Sequence, residues 1–298
     1  MYSTLISAPQ LQNLMASQQP LLVFDCSFEL MQPAAGDAQY LDQHIAGAVR
    51  ANLDRHLSAH GEPDAASGGR HPLPAREHFA SWLGSIGLRP DMQAVVYDRQ
   101  GANYCGRLWW LLKWVGHEAV AVLDGGLQAW VAIGGAVESG AGEERSAGTY
   151  PLGSPMATLT STDTVLRHLG QSGQTIVDAR GAPRFRGEVE PLDPVAGHIP
   201  GALNRPFGDN LDANGLFKSA NVLKTEFERL LAGRDPSTVY TTAAVASALC
   251  PISSPWKWRA WGAQRFMRAA GATGAVTRVG RWRSLNQLGS EHVAARVV

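Results

Sequence analysis

The sequence has no run of eighteen apolar residues, and Met1–Gln10 is mixed and polar rather than basic and then apolar. Neither a membrane span nor a secretory leader is expected. Cysteine is scarce, with only Cys26, Cys105 and Cys250 in 298 residues. Three thiols so spaced build neither a disulfide framework nor a zinc site, so no metal is expected and a reduced, cytoplasmic setting is the default. Net charge is absent as well, because 26 Lys and Arg offset 26 Asp and Glu. A neutral chain gives no general reason to expect nucleic acid or membrane as a partner. The neutrality hides an asymmetry: Tyr240–Val298 carries eight Lys and Arg against one acid, Glu291, together with four of the nine Trp. A basic stretch dotted with Trp is one form a nucleic-acid arm takes, but no periodicity or motif accompanies it here.

What the sequence does contain is a repeat. Leu21-Leu22-Val23-Phe24-Asp25 is a short run of β-type residues closed by an acid, and it reads as a buried parallel strand with its loop at the C-terminal end. His44-Ile45-Ala46-Gly47-Ala48-Val49 follows nineteen residues after Asp25. Ala94–Asp98 then reads as a second strand, Gly106–Val115 as a helix, Ala119–Leu123 as a strand and Gly125-Gly126-Leu127-Gln128-Ala129-Trp130 as a turn. The order restarts at Thr175-Ile176-Val177-Asp178-Ala179-Arg180. His198-Ile199-Pro200-Gly201-Ala202-Leu203 comes twenty residues after Asp178, and Ser237-Thr238-Val239 opens the next strand.

A spacing of about 145 residues means two like domains rather than a solenoid. The expected division is residues 1–137, a Ser/Gly/Pro-rich linker over 138–157, and 158–298. The expected class is α/β, each domain a mainly parallel sheet with helices on both faces and its ligand site beyond the strand C-termini. After Val239 the repeat stops, so the second domain is expected to be incomplete.

His-Ile-Pro-Gly-Ala after Asp-Ala-Arg, with Asp-Gly-Gly-Leu-Gln-Ala-Trp closing the first half, resembles the tandem-domain rhodanese family, the thiosulfate and 3-mercaptopyruvate sulfurtransferases. The resemblance runs from about Leu11 to Val239. It implies two rhodanese domains with one active site. The first domain is non-catalytic; the second supplies a cysteine in a tight loop after the strand that begins at Ser237. Sulfur transfer through a cysteine persulfide needs a thiolate, and a loop of inward-pointing N–H groups lowers a thiol's pKa. The loop cysteine is absent: Val239 is followed by Tyr240-Thr241-Thr242-Ala243-Ala244-Val245, and Cys250 is out of position.

The genetic code offers a reason. Read from the third base of the Val239 codon, the tract permits V-H-H-C-G-S-G-V-S, with the cysteine codon spanning Thr242 and Ala243. Further on it permits N-L-I-A-M-E-M-A-G-L-G, an amphipathic helix, and then L-Y-A-G-S-W-S-D-W-C. Val96 to Trp130 is 34 residues, and Val239 to the second tryptophan of the shifted G-S-W-S-D-W is also 34. Tyr240–Val298 is therefore read as the family's C-terminus in the wrong frame.

The resemblance also assigns other residues. Arg184 matches the family arginine for the anionic substrate, a role a guanidinium fork suits. The second arginine usual in mercaptopyruvate enzymes is missing from Glu190–Val195. Asp54 and His71 match a carboxylate and imidazole that face the reactive loop as a candidate proton relay. Asp25, Asp178 and Arg180 fit structural positions, Cys26 reads as a buried small residue, and Arg99 is expected opposite the missing cysteine. The activity implied is transfer of a sulfane sulfur from thiosulfate or 3-mercaptopyruvate to cyanide or a thiol, by a monomer with no cofactor. The alternative is an inactive rhodanese-like binding protein. Phosphate-ester hydrolysis is disfavoured because no Cys-x5-Arg loop is present.

Overall fold

The computed structural model describes residues 1–242 and, beyond them, the strand Arg265–Met267. The first half runs β1 (Leu5–Ile6), α1 (Ala8–Ala16), β2 (Leu21–Asp25), α2 (Ala35–Asp42), β3 (His44–Ile45), β4 (Val49–Arg50), α3 (Arg76–Ser85), β5 (Gln93–Tyr97), α4 (Cys105–Trp114), β6 (Val120–Leu123), α5 (Gly126–Ala132) and β7 (Val137–Glu138). Its five-stranded sheet has the order β1-β6-β5-β2-β4, with every neighbouring pair parallel.

The sheet is buried on both faces because its strands are apolar at successive positions. Phe24, Val96 and Val122 point one way, into a core shared with Phe79 and Leu83 of α3 and Leu108 and Leu112 of α4. Val23, Val95 and Ala121 point the other way, toward Leu11 and Leu14 of α1 and Leu127 and Trp130 of α5. A capping box fixes the start of α1: the Ser7 hydroxyl accepts the N–H of Gln10, and the Gln10 side chain accepts the N–H of Ser7.

The second half runs β8 (Thr158–Thr160), α6 (Thr162–Arg167), β9 (Thr175–Asp178), α7 (Ala182–Phe185), β10 (Leu203–Asn204), α8 (Ala220–Leu231), β11 (Val239–Thr242) and β12 (Arg265–Met267). Its sheet order, β8-β12-β11-β9-β10, is that of the first half strand for strand. Val177 and Val239 pack on Leu223, Phe227 and Leu231 of α8, while Ile176 and Tyr240 face Val165 of α6. The ladder thus runs past the expected break at Val239, to Thr242, and takes up Arg265–Met267 between β11 and β8. Whether the tract between leaves a face of this sheet uncovered lies outside the described residues.

The His-x-x-Gly-Ala landmark makes the same turn in both halves. Gly47 and Gly201 sit at φ of +72° and +78°, where a side chain is disfavoured. The next alanine N–H closes the turn on Ile45 O and Ile199 O at 2.9 and 3.0 Å. Each histidine anchors its turn to the preceding chain through Nδ1, to Tyr40 O in the first half and Phe185 O in the second, and stacks on that same aromatic ring. The 138–157 stretch is largely exposed, as its composition predicts, but not free of the first domain. Tyr150 and Ala157 are buried in that domain's core, and the Tyr150 hydroxyl meets His117 Nδ1 at 2.9 Å.

Candidate active site

The loop after β5 shows what the fold does at the end of its central strand. Asp98 is buried, and its carboxylate is ringed by backbone donors of the loop that follows. Oδ1 accepts from Gln100 and Ala102, both at 2.9 Å, and Oδ2 from Tyr104 at 2.7 Å and Cys105 at 2.9 Å. Burial lifts its pKa above the usual carboxylate range, although the four N–H groups work against that rise. This is an anion nest at a helix start, with the chain's own carboxylate as occupant. Gly126 is required beside it: a Cβ there would sit 2.2 Å from Asp98 O.

Strand register places the equivalent point in the second half. Asp25 pairs with Tyr97, and Asp178 pairs with Thr242. The Thr242–Ala243 junction therefore corresponds to Tyr97–Asp98, not to Arg99 as spacing suggested. By the same ladder Val96 matches Thr241, so the equal 34-residue spacings do not start from equivalent residues. Arg99 instead binds the structural acid Asp25 at 3.1 Å, Ser27 Oγ at 3.1 Å and the carbonyls of Gln39 and Gln43. Asp178 holds Arg180 in the same way, through contacts of 2.6–3.1 Å. Ala243 and Cys250 lie outside the described residues.

Arg184, the candidate anion-binding residue, is already paired. Its Nε and Nη2 reach Glu190 at 3.2 and 2.7 Å, and Nη2 also reaches Asp193 Oδ2 at 3.0 Å. Burial acts to raise the Glu190 pKa, but Arg184 and the N–H groups of Asp193 and Leu192 outweigh it and hold the carboxyl below its usual range. The other oxygen of Asp193 is taken by Arg70 of the first half at 2.8 Å, whose guanidinium also donates to Leu192 O. The sequence had shown only that an arginine is missing from Glu190–Val195. It gave no sign that this loop's own acids fill Arg184, or that an arginine arrives from 120 residues upstream.

Asp54 and His71 do come together, with His71 Nδ1 3.1 Å from Asp54 Oδ1. The approach is at ion-pair distance but outside hydrogen-bonding geometry, and both buried ring nitrogens of His71 lack a hydrogen-bond partner. Burial pushes the His71 pKa down, Arg107 adds to this, and Asp54 opposes it. Arg107 is itself buried and ties the segment together through Leu57 O, His71 O and Pro72 O at 2.8–3.2 Å. His60, which sequence reasoning passed over, brings Nε2 within 3.2 Å of the same Asp54 oxygen. Asp54, His60 and His71 are thus one of two donor groups, among the described residues, with the spacing to hold a metal ion. Arg70, the residue before His71, is the contact that links this segment to Asp193 of the second half. Cys26 is buried, and burial, with Asp25 adding to it, raises its thiol pKa well above the usual range. Cys105 is buried too.

The rhodanese-like domain model matches residues 7–133. A Pseudomonas aeruginosa protein described as a probable 3-mercaptopyruvate sulfurtransferase is 45% identical over 231 residues, covering 77% of this chain and 80% of that one. The human 3-mercaptopyruvate sulfurtransferase is 36% identical over 217 residues, 70% of each chain. Among solved structures, the 3-mercaptopyruvate sulfurtransferase of Escherichia coli superposes with a TM-score of 0.72 at 26% identity, covering 89% of this chain and 98% of that one. No helix among the described residues is long and apolar enough to cross a membrane. With its parallel α/β sheets and this level of identity over most of its length, the chain belongs to the rhodanese family of sulfurtransferases.

Proposed function

We propose that the gene's in-frame product moves a sulfane sulfur from 3-mercaptopyruvate or thiosulfate to cyanide or another thiol, through a persulfide on a cysteine at the Thr242–Ala243 junction. The observation that carries this reading is the anion nest at Asp98. The register-equivalent point in the second half is where the shifted frame supplies C-G-S-G-V, and a thiolate there would take the place that a carboxylate holds in the first half. The reaction is two-step. The thiolate attacks the outer sulfur of thiosulfate, breaking its S–S bond to release sulfite, or the sulfur of 3-mercaptopyruvate, breaking its C–S bond to release the pyruvate enolate, which takes a proton; the acceptor then attacks the outer sulfur of the persulfide and the cysteine thiolate leaves. His71, with Asp54 behind it, is the proton relay for the first step. The chain is expected to act as a monomer in the cytoplasm.

Arg184 is the anion-binding residue in this reading, with Glu190 and Asp193 as internal competitors for it. In the frame-restored chain, Arg184→Gln is expected to raise KM for either donor by about tenfold or more, the worth of a charge-assisted pair. Asp193→Asn should lower KM by up to about fivefold, equivalent to ~1 kcal/mol for a partly exposed pair, with kcat little changed. Steady-state kinetics on both variants decide this. An unaltered KM in Arg184→Gln would remove Arg184 from the site. The second reading, an inactive binding protein, predicts no turnover even after the frame is restored.

A further inference from the structure

We propose that Arg70, carried by the first half of the chain, is a second anion-binding residue of the sulfur-transfer site, and that together with Arg184 it holds the carboxylate of a 3-mercaptopyruvate-type donor. The proposal rests on the reading of Arg184 given above. The observation that carries it is a carboxylate already seated between the two guanidinium groups. Asp193 Oδ1 accepts from Arg70 Nη2 at 2.8 Å, and Asp193 Oδ2 accepts from Arg184 Nη2 at 3.0 Å. One arginine on each oxygen of a flat, two-oxygen anion is an arrangement that suits a carboxylate ligand. Asp193 thus occupies the seat that the donor would take. The loop Glu190–Val195 has no arginine of its own, and the second cation reaches it from the other half.

Charge explains why one arginine is too few. Arg184 alone faces two acids, Glu190 and Asp193, so an anionic donor would meet a net negative seat. The neighbouring Arg180 is committed to Asp178 at 2.6 Å. Arg70 brings the seat to two cations against two acids, and an outward turn of Asp193 then leaves it positive. The parts needed for that exchange are present. Arg70 also donates to Leu192 O at 2.6 Å, a backbone anchor that stays when the Asp193 side chain leaves. The Asp193 N–H donates to Glu190 Oε1 at 3.0 Å, which fixes the main chain. The Asp193 side chain is 30% exposed and has water to turn into. A donor carboxylate entering as Asp193 leaves replaces one anion by another, so neither guanidinium loses its partner. Among the described residues, both bonds that Arg70 makes come from Nη2, and those of Arg184 come from Nε and Nη2. Further N–H groups on each fork remain for the ligand.

Pyruvate, the carboxylate product of that donor, is the probe, because its binding needs neither the loop cysteine nor turnover. It is titrated into the present chain and into the frame-restored chain, with binding followed by ligand-observed NMR. Arg70→Gln is expected to weaken binding by about tenfold or more. Arg70→Lys should lose less, since lysine keeps the charge but not the fork. Asp193→Asn is expected to strengthen binding by up to about fivefold. The opposite signs separate ligand binding from a mere staple between the halves. Both substitutions break the same Arg70–Asp193 pair, so a purely structural role would move both in one direction. Weaker binding in Arg184→Gln but not in Arg70→Gln would overturn the proposal and leave Arg184 in the site. Weaker binding in Asp193→Asn would overturn it too, and no pyruvate binding by either chain would overturn both assignments. Binding that depends on Arg70, in a frame-restored chain without turnover, would uphold the seat while the sulfur-transfer reading fails.

Discussion

On the proposed frameshift, restoring the frame across the codons for Val239 and Tyr240 is expected to convert a chain without turnover into an active sulfurtransferase. The expected change is from no turnover above the uncatalysed rate to an acceleration of about a millionfold or more, the lower end for enzymes. The physical reason is the nucleophile. Persulfide chemistry needs a thiolate held where N–H groups stabilise it. Cys26 and Cys105 are both buried in the first half, and burial raises the Cys26 thiol pKa. The cysteine codon of the proposed shifted frame begins in Thr242, the last residue of β11, which pairs with Asp178. Thiocyanate formed from thiosulfate and cyanide, and pyruvate formed from 3-mercaptopyruvate, would be measured for both chains. A frame-restored variant with serine for the loop cysteine is the control. Turnover by the present chain would show that the nucleophile has been misplaced, and equal inactivity of both would favour the binding-protein reading. Resequencing the gene across these codons tests the frame directly.

Much of the fold is legible because its central strands are apolar on both faces and closed by acids. Leu21–Asp25 and Thr175–Asp178 are strands as their residues predict, and Gly106–Val115 differs from α4 by one residue at each end. The outer strands β1 and β8 escape a pattern reading because two or three residues carry no period. Helix α8 was legible but passed over: Leu223, Phe227 and Leu231 recur at four-residue spacing and are its buried stripe. The site was only half legible. Arg184, Asp54 and His71 could be matched by motif, since each lies near a landmark in the chain. That Arg70 closes on Asp193, or that His60 reaches Asp54, depends on folding and has no local signal. The misplacement of Arg99 has a plainer cause. Equal spacing points to Arg99 only if Val239 matches Val96, whereas the ladder matches it to Ala94.

Asp98→Ala is expected to destabilise the first half by about 3 kcal/mol or more, because buried backbone N–H groups lose their acceptor. Four backbone N–H groups converge on that carboxylate, two on each oxygen. Removing it takes the carboxylate acceptor from all four, at about 1–3 kcal/mol for each one that neither water nor another group then satisfies. Asp98→Asn is a sharper probe. Its single carbonyl oxygen can serve one pair of donors, but its amide NH2 then faces the other pair. It should therefore recover no more than half of the loss. The first half holds five of the nine Trp, and the rest of the described chain holds none. Denaturant unfolding followed by near-ultraviolet circular dichroism of those side chains reads this half. A loss under about 1 kcal/mol in Asp98→Ala would mean that solvent satisfies the nest. The carboxylate would then be no model for a thiolate in the second half. A large loss, halved at best by Asn, would show that this loop stabilises a buried anion at the end of its strand, which is the property persulfide chemistry needs at the matching point in the second half.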